Sequence, residues 1–147
     1  RAVVAHPSCS QAVGVDAAPT MIQRASDLST GLPGCTFHRA AFLDWSDEGG
    51  FDLVFSMEAL YYMDDVAAGI GWAAGLLRPG GTLAALVDYY AENQESETWP
   101  EDCGVAMSRH TEAAWAGFFC AAGLSAVGQR RLCAGPDAGT LATWGSR

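Results

Sequence analysis

The chain contains no lysine. All eight of its basic residues are arginine, against 17 acids in 147 residues. A Schiff-base lysine, a pyridoxal-phosphate anchor and a Walker-type phosphate lysine are therefore excluded for this stretch. No C-x-x-C pair occurs among Cys9, Cys35, Cys103, Cys120 and Cys133. An odd, widely spaced set of this kind fits reduced thiols better than a disulfide framework or a zinc site. His6, His38 and His110 are equally scattered, so the sequence shows no metal site. No apolar run approaches the ~18 residues needed to cross a bilayer, and no signal-peptide pattern opens the chain, so the expected location is the cytoplasm. The net charge of −9 repels phosphate backbones and makes nucleic acid an unexpected partner.

What remains is a globular composition, half apolar, of a length suited to one core. The run "QAVGVD" (11–16) reads as a short strand buried on both faces, and Pro19 opens a helix reaching about Leu28. "CTFHRAAF" (35–42) and "FDLVFS" (51–56) read as strands. Asp64 or Asp65 can cap a helix from Val66 to about Leu77, and "RPGG" (78–81) turns it into the strand "TLAALVD" (82–88). After a polar stretch (89–110), Thr111 can cap the helix 112–123. "LSAVGQRRL" and "GTLATW" are too close together for a crossover, so they should pair antiparallel. The order predicts an α/β fold with a mainly parallel sheet.

Ligands of open α/β sheets sit beyond the carboxyl ends of the strands. Asp16 ends its strand where a carboxylate can accept hydrogen bonds from both hydroxyls of a ribose. By itself this placement suits nicotinamide, flavin or S-adenosylmethionine, and a helix-capping Asp is the plainer alternative.

The combination "GVDAAPTMIQRA", "FDLVFSMEALYY" and "LLRPGG" before a strand resembles the class I S-adenosylmethionine-dependent methyltransferases. The resemblance covers about residue 11 to the end. It implies a Rossmann-like, mainly parallel sheet with a C-terminal antiparallel hairpin, and S-adenosylmethionine as the cofactor. One departure is large: the family's first strand and its glycine-rich loop have no counterpart before Gln11. The chain is accordingly expected to be a single methyltransferase-like domain, 1–147, incomplete at its N-terminus, where "RAVVAHPS" resembles the end of the helix after that loop. Without a central strand it should be marginally stable or need a partner.

By this resemblance Asp16 is the ribose acid, followed by Ala17, and Met21 lies against the ribose or adenine, with a core methionine as the alternative. Ala41 and Phe42 fall near the third-strand end, by the adenine, although no acid stands there and Phe42 could be core. Ser56 and Met57 face the methionine moiety. Glu58, Tyr62 and Asp88 are the candidate catalytic residues. Methyl transfer from a sulfonium is an in-line displacement with a neutral leaving group, so positioning carries much of the acceleration. A hydroxyl or ammonium acceptor also needs a base, for which Glu58, Asp88 and Glu92 are placed. Tyr61 and Tyr62 offer aromatic faces to a sulfonium, worth roughly 0.5–2 kcal/mol, or pack under the next helix. The loop with Tyr89, Tyr90, Glu92, Asn93 and Trp99 forms an acceptor pocket or a solvated loop. The expected function is methyl transfer to a small-molecule acceptor. The rival is a non-catalytic scaffold that binds a protein partner; a nicotinamide oxidoreductase would explain Asp16 but not "FSMEALYY" or "LLRPGG".

Overall fold

The computed structural model describes residues 9–47, 50–133 and 139–147. The expectations placed on residues 1–8, on the turn 47–50 at residues 48 and 49, and on most of 133–138 lie outside the described residues. The chain parts into two compact units, Arg1–Ser46 and Asp47–Arg147.

In the first unit, β1 (Ala12–Asp16) and β2 (Cys35–Arg39) pair in parallel through α1 (Pro19–Leu28). Pro19 occupies the first turn of α1, where its missing N–H is no loss. All five residues of β1 are only partly buried, against the expectation of a strand buried on both faces. α1 buries none of its residues either. Its sequence PTMIQRASDL has too few large apolar side chains to cover a strand on its own. β2 stops at Arg39, three residues before the expected end, and a 3-10 turn follows at Phe42–Asp44.

In the second unit, β3 (Phe51–Met57) and β4 (Leu77–Val87) are parallel and joined by α2 (Val66–Gly75). Asp65 makes the N-cap of α2, accepting from the Ala68 N–H at 2.9 Å. The segment 89–110 contains a 3-10 turn at Gln94–Ser96 and the short α3 (Trp99–Cys103). α4 (Glu112–Ala121) is capped by Thr111, whose Oγ1 accepts from the Ala114 N–H. β5 (Ser125–Leu132) and β6 (Thr140–Ser146) close the chain as an antiparallel hairpin. The strand order is β3-β4-β6-β5, with β4 and β6 antiparallel.

The "RPGG" turn belongs to β4 itself. Phe51 pairs with Leu77 and Leu53 with Thr82, so four residues loop out of register between them. Gly81 is required there, because a Cβ would stand 2.6 Å from the Phe51 carbonyl oxygen. The core lies against one face of this sheet. Ile70 and Ala73 of α2, Leu83, Ala85 and Val87 of β4, and Trp115 and Phe119 of α4 are buried together. The alternation along β4 follows from the pleat, which sends every second side chain to the helix-covered face. On β3, by contrast, Leu53, Phe55 and Met57 are all exposed, while Val54 packs against the core.

Candidate active site

In the first unit, Asp16 ends β1 and its Oδ1 accepts from the Ala18 N–H at 2.7 Å. One carboxylate oxygen thus fixes the turn into α1. The N-cap of α1 is Ala18, with no side-chain cap bond, so Asp16 holds the turn before the helix and does not cap it; among the described residues its other oxygen has no partner. Ala17 is exposed and Met21 half-exposed, so Met21 is not a core methionine. Ala41 is exposed and sits just before the 3-10 turn, whose first residue, Phe42, is partly buried. Both follow the strand end instead of forming it.

In the second unit the carboxyl ends of β3 and β4 lie side by side, as parallel pairing dictates, with Met57 opposite Leu86. Ser56 is partly buried and Met57 exposed. As successive strand residues they point to opposite faces of the sheet, so their side chains do not present one common surface. The next residue, Glu58, has φ of 53°, a left-handed backbone rarely adopted by a residue with a Cβ. Its N–H donates to the Leu86 carbonyl at 3.0 Å. Its Oε1 accepts from the Asp88 N–H and its Oε2 from the Tyr61 hydroxyl, each at 2.8 Å.

This cluster is electrostatically tense. Burial pushes the Glu58 carboxyl above the ordinary glutamate range, assisted by the nearby Asp88, while the Tyr61 hydroxyl and the Asp88 amide pull it back. Burial and the Glu58 carboxylate together push the Tyr61 phenol far above its ordinary value. The Asp88 Oδ1 is buried without a hydrogen-bond partner. Tyr61 is buried, with its ring 4.6 Å from that of the exposed Tyr62 and 5.5 Å from that of Tyr89, which stacks on Trp99. The structure therefore gathers Glu58, Asp88, Tyr61 and Tyr62 at one end of one sheet.

Glu92 is engaged elsewhere: its Oε2 accepts from the Glu112 N–H, at the start of α4. The loop around it is pinned. The Asn93 side chain donates to the Asp88 carbonyl at 2.7 Å, and Ser108 donates through its hydroxyl to the Met63 carbonyl. Arg109 bonds to Glu97 and to the carbonyls of Ala91 and Asn93. Sequence reasoning missed Arg109 and Ser108; no periodicity or spacing marks a side chain whose partners are loop carbonyls. Among the described residues no cluster of His, Cys, Asp and Glu is placed to hold a metal ion.

Residues 2–85 match a family described as the methyltransferase domain. The chain belongs to that family. Its architecture is the class I fold of the S-adenosylmethionine-dependent methyltransferases. A trans-aconitate 2-methyltransferase of Escherichia coli is 31% identical over 102 residues, which are 69% of this chain and 35% of that protein. The chain thus spans about a third of the length of the curated relatives it matches. A putative methyltransferase solved in complex with the Haloferax volcanii Trm112 methyltransferase activator is 30% identical, with a TM-score of 0.82 over 93% of this chain and 72% of that one. The N-methyltransferase NodS from Bradyrhizobium japonicum, solved with S-adenosyl-L-homocysteine, has the same fold at 21% identity, with a TM-score of 0.71 over 96% of this chain and 68% of that one.

Proposed function

We propose that this methyltransferase domain transfers a methyl group from S-adenosylmethionine to a small-molecule acceptor. The observation that carries the reading is the group at the carboxyl ends of β3 and β4, where two carboxylates and two tyrosines meet in a partly buried setting. Family membership supports the chemistry. The chain's own residues fit the cofactor in one respect that geometry supports: Asp16 keeps a carboxylate oxygen free for a ribose hydroxyl. Ala17, Met21, Ala41 and Phe42 would line the nucleoside, and Ser56 and Met57, whose side chains leave opposite faces of β3, would meet the methionine moiety through the backbone of the strand end. The bound cofactor supplies the electrophilic methyl group. Around it, Tyr62 would offer an aromatic face, and a carboxylate of the Glu58–Asp88 pair would take the acceptor's proton if the acceptor is a hydroxyl or an ammonium. Residues 1–147 act in this reading as one domain, in the cytoplasm. Among the described residues no helix is long and apolar enough to cross a membrane.

The test is a calorimetric titration of S-adenosylhomocysteine into the chain, once circular dichroism shows it folded. Dissociation in the micromolar range, weakened about tenfold by Asp16→Asn, is the expected result. No binding by the folded chain, followed by no binding by a folded chain extended upstream, overturns the reading. It would leave the second one, a non-catalytic scaffold for a protein partner; the complex of the similar Haloferax volcanii protein with an activator supports the partner-binding half of that reading and not the loss of catalysis.

A further inference from the structure

Glu58 and Asp88 are both acids at the same strand ends, but their surroundings differ. Both oxygens of Glu58 are occupied by donors from its own neighbourhood, the Asp88 amide and the Tyr61 hydroxyl. Its backbone N–H is occupied by the Leu86 carbonyl. Its φ of 53° is one that a glycine or an asparagine would adopt with less strain. A disfavoured backbone persists where the surrounding contacts over-determine it, and here three hydrogen bonds converge on one residue. These bonds tie together three separate pieces of chain: the last pair of β3 and β4, the residue after β4, and the 3-10 turn at Leu60–Tyr62. Asp88 shows the opposite pattern. Its amide is held by Glu58 and its carbonyl by Asn93, while its Oδ1 is buried and has no partner.

We propose that Glu58 is a positioning residue whose carboxylate latches the segment after β4 to the turn after β3, leaving Asp88 as the carboxylate that meets the acceptor. The inference takes the methyl-transfer reading of this end of the sheet as its setting. It divides two acids of similar sequence position into a fixed group and a reactive one. The latch works through oxygens that accept, so an amide in place of the acid preserves it: the amide oxygen can still accept from Asp88, and the amide nitrogen can donate to Tyr61. A base cannot be replaced in that way.

The experiment compares Glu58→Gln, Glu58→Gly and Asp88→Asn in the full chain. It follows the Asp88 amide resonance by 15N NMR across pH, the melting temperature, and S-adenosylhomocysteine affinity. In the wild type the Asp88 amide should shift as Glu58 titrates, with a midpoint above the ordinary glutamate range. Glu58→Gln should abolish that titration, with the amide still protected from exchange and affinity within about threefold. Glu58→Gly should relax the backbone yet expose the amide and lower the melting temperature by about 5 °C. Asp88→Asn should leave stability near wild type. The proposal falls if Glu58→Gln is as damaging as Glu58→Gly, if the Asp88 amide ignores pH in the wild type, or if Glu58→Gly is the best tolerated of the three. The resonance and the melting temperature need no cofactor. A failure of the latch is therefore distinguishable from a failure to bind S-adenosylhomocysteine.

Discussion

The two units contain the same motif, a pair of parallel strands joined by a ten-residue helix, and only one of them has an interior. In β1–α1–β2 no strand or helix residue is buried, and among the described residues of that unit only Ser29 is. In β3–α2–β4 the helix buries Val66, Gly69, Ile70, Ala73 and Ala74, and β4 buries Leu77, Leu83, Ala85 and Val87. The difference starts in the helices. α2 is VAAGIGWAAG, small and apolar, so it can lie close on the sheet and still receive α4 beside it. α1 carries Gln23, Arg24, Ser26 and Asp27, and among the described residues packs chiefly on its own two strands. A strand–helix–strand motif supplies one apolar stripe and one sheet face; a second helix on that same face turns the stripe into a core.

Core substitutions test this contrast most sharply. Phe119→Ala, in the second unit, should cost about 3–5 kcal/mol by chemical denaturation. Ile22→Ala, in the partly buried first unit, should cost less than about 1.5 kcal/mol. Equal losses would break the comparison. The next effect concerns a device that both units share. Gly14 faces Phe37 across β1 and β2, and Gly128 faces Trp144 across β5 and β6. A Cβ at either glycine would come within 2.6 Å of the ring. Gly128→Ala should cost about 1–3 kcal/mol, and Gly14→Ala less, because Phe37 sits in a loosely covered sheet and can turn aside. Paired thermal melts would show the order. Smaller again is Arg147→Met, at about 1–2 kcal/mol: the Arg147 guanidinium donates to the carbonyls of Ala74 and Gly75 at the end of α2 and of Leu77 at the start of β4.

The smallest effect is one of pH. Because burial raises the folded-state pKa of Glu58, its contribution to stability is full below the ordinary glutamate pKa and is lost as pH rises through the raised value. Acidification from neutrality towards about pH 5 should therefore stabilise the wild type relative to Glu58→Gln, as read from urea midpoints at the two pH values. A constant difference would count against a buried, titrating Glu58.

Much of the fold was legible in the sequence because each boundary carried its own local chemistry. Pro19 starts α1, and Asp65 and Thr111 cap α2 and α4 through side-chain oxygens. The short spacing between the last two strands correctly implied an antiparallel hairpin. The mismatches are where the decisive partner is distant. β1 is as apolar as a buried strand, but burial depends on what lies over it. α3 is only five residues long and carries Pro100, so it reads as loop. Glu92 reaches an amide twenty residues further on. At the candidate site the sequence pointed to Glu58, Asp88 and Tyr62 through the family resemblance and their places at and after strand ends. Which oxygen meets which donor depends on the left-handed turn at Glu58, and no pattern of residue types announces it.

The order β3-β4-β6-β5 has a consequence in time. β6, made after β4 and β5, lies inside the sheet between β4 and the strand that precedes it in sequence. Until β6 is in place, β4 has a bare edge and β5 has no partner, so the hairpin cannot join from its β5 side. Nor does the end of α2 gain its guanidinium until Arg147 arrives, some seventy residues after the carbonyls it binds. Assembly of this half is therefore governed by long-range closure, which makes it slow to form and dependent on β6 and Arg147 for its cooperativity.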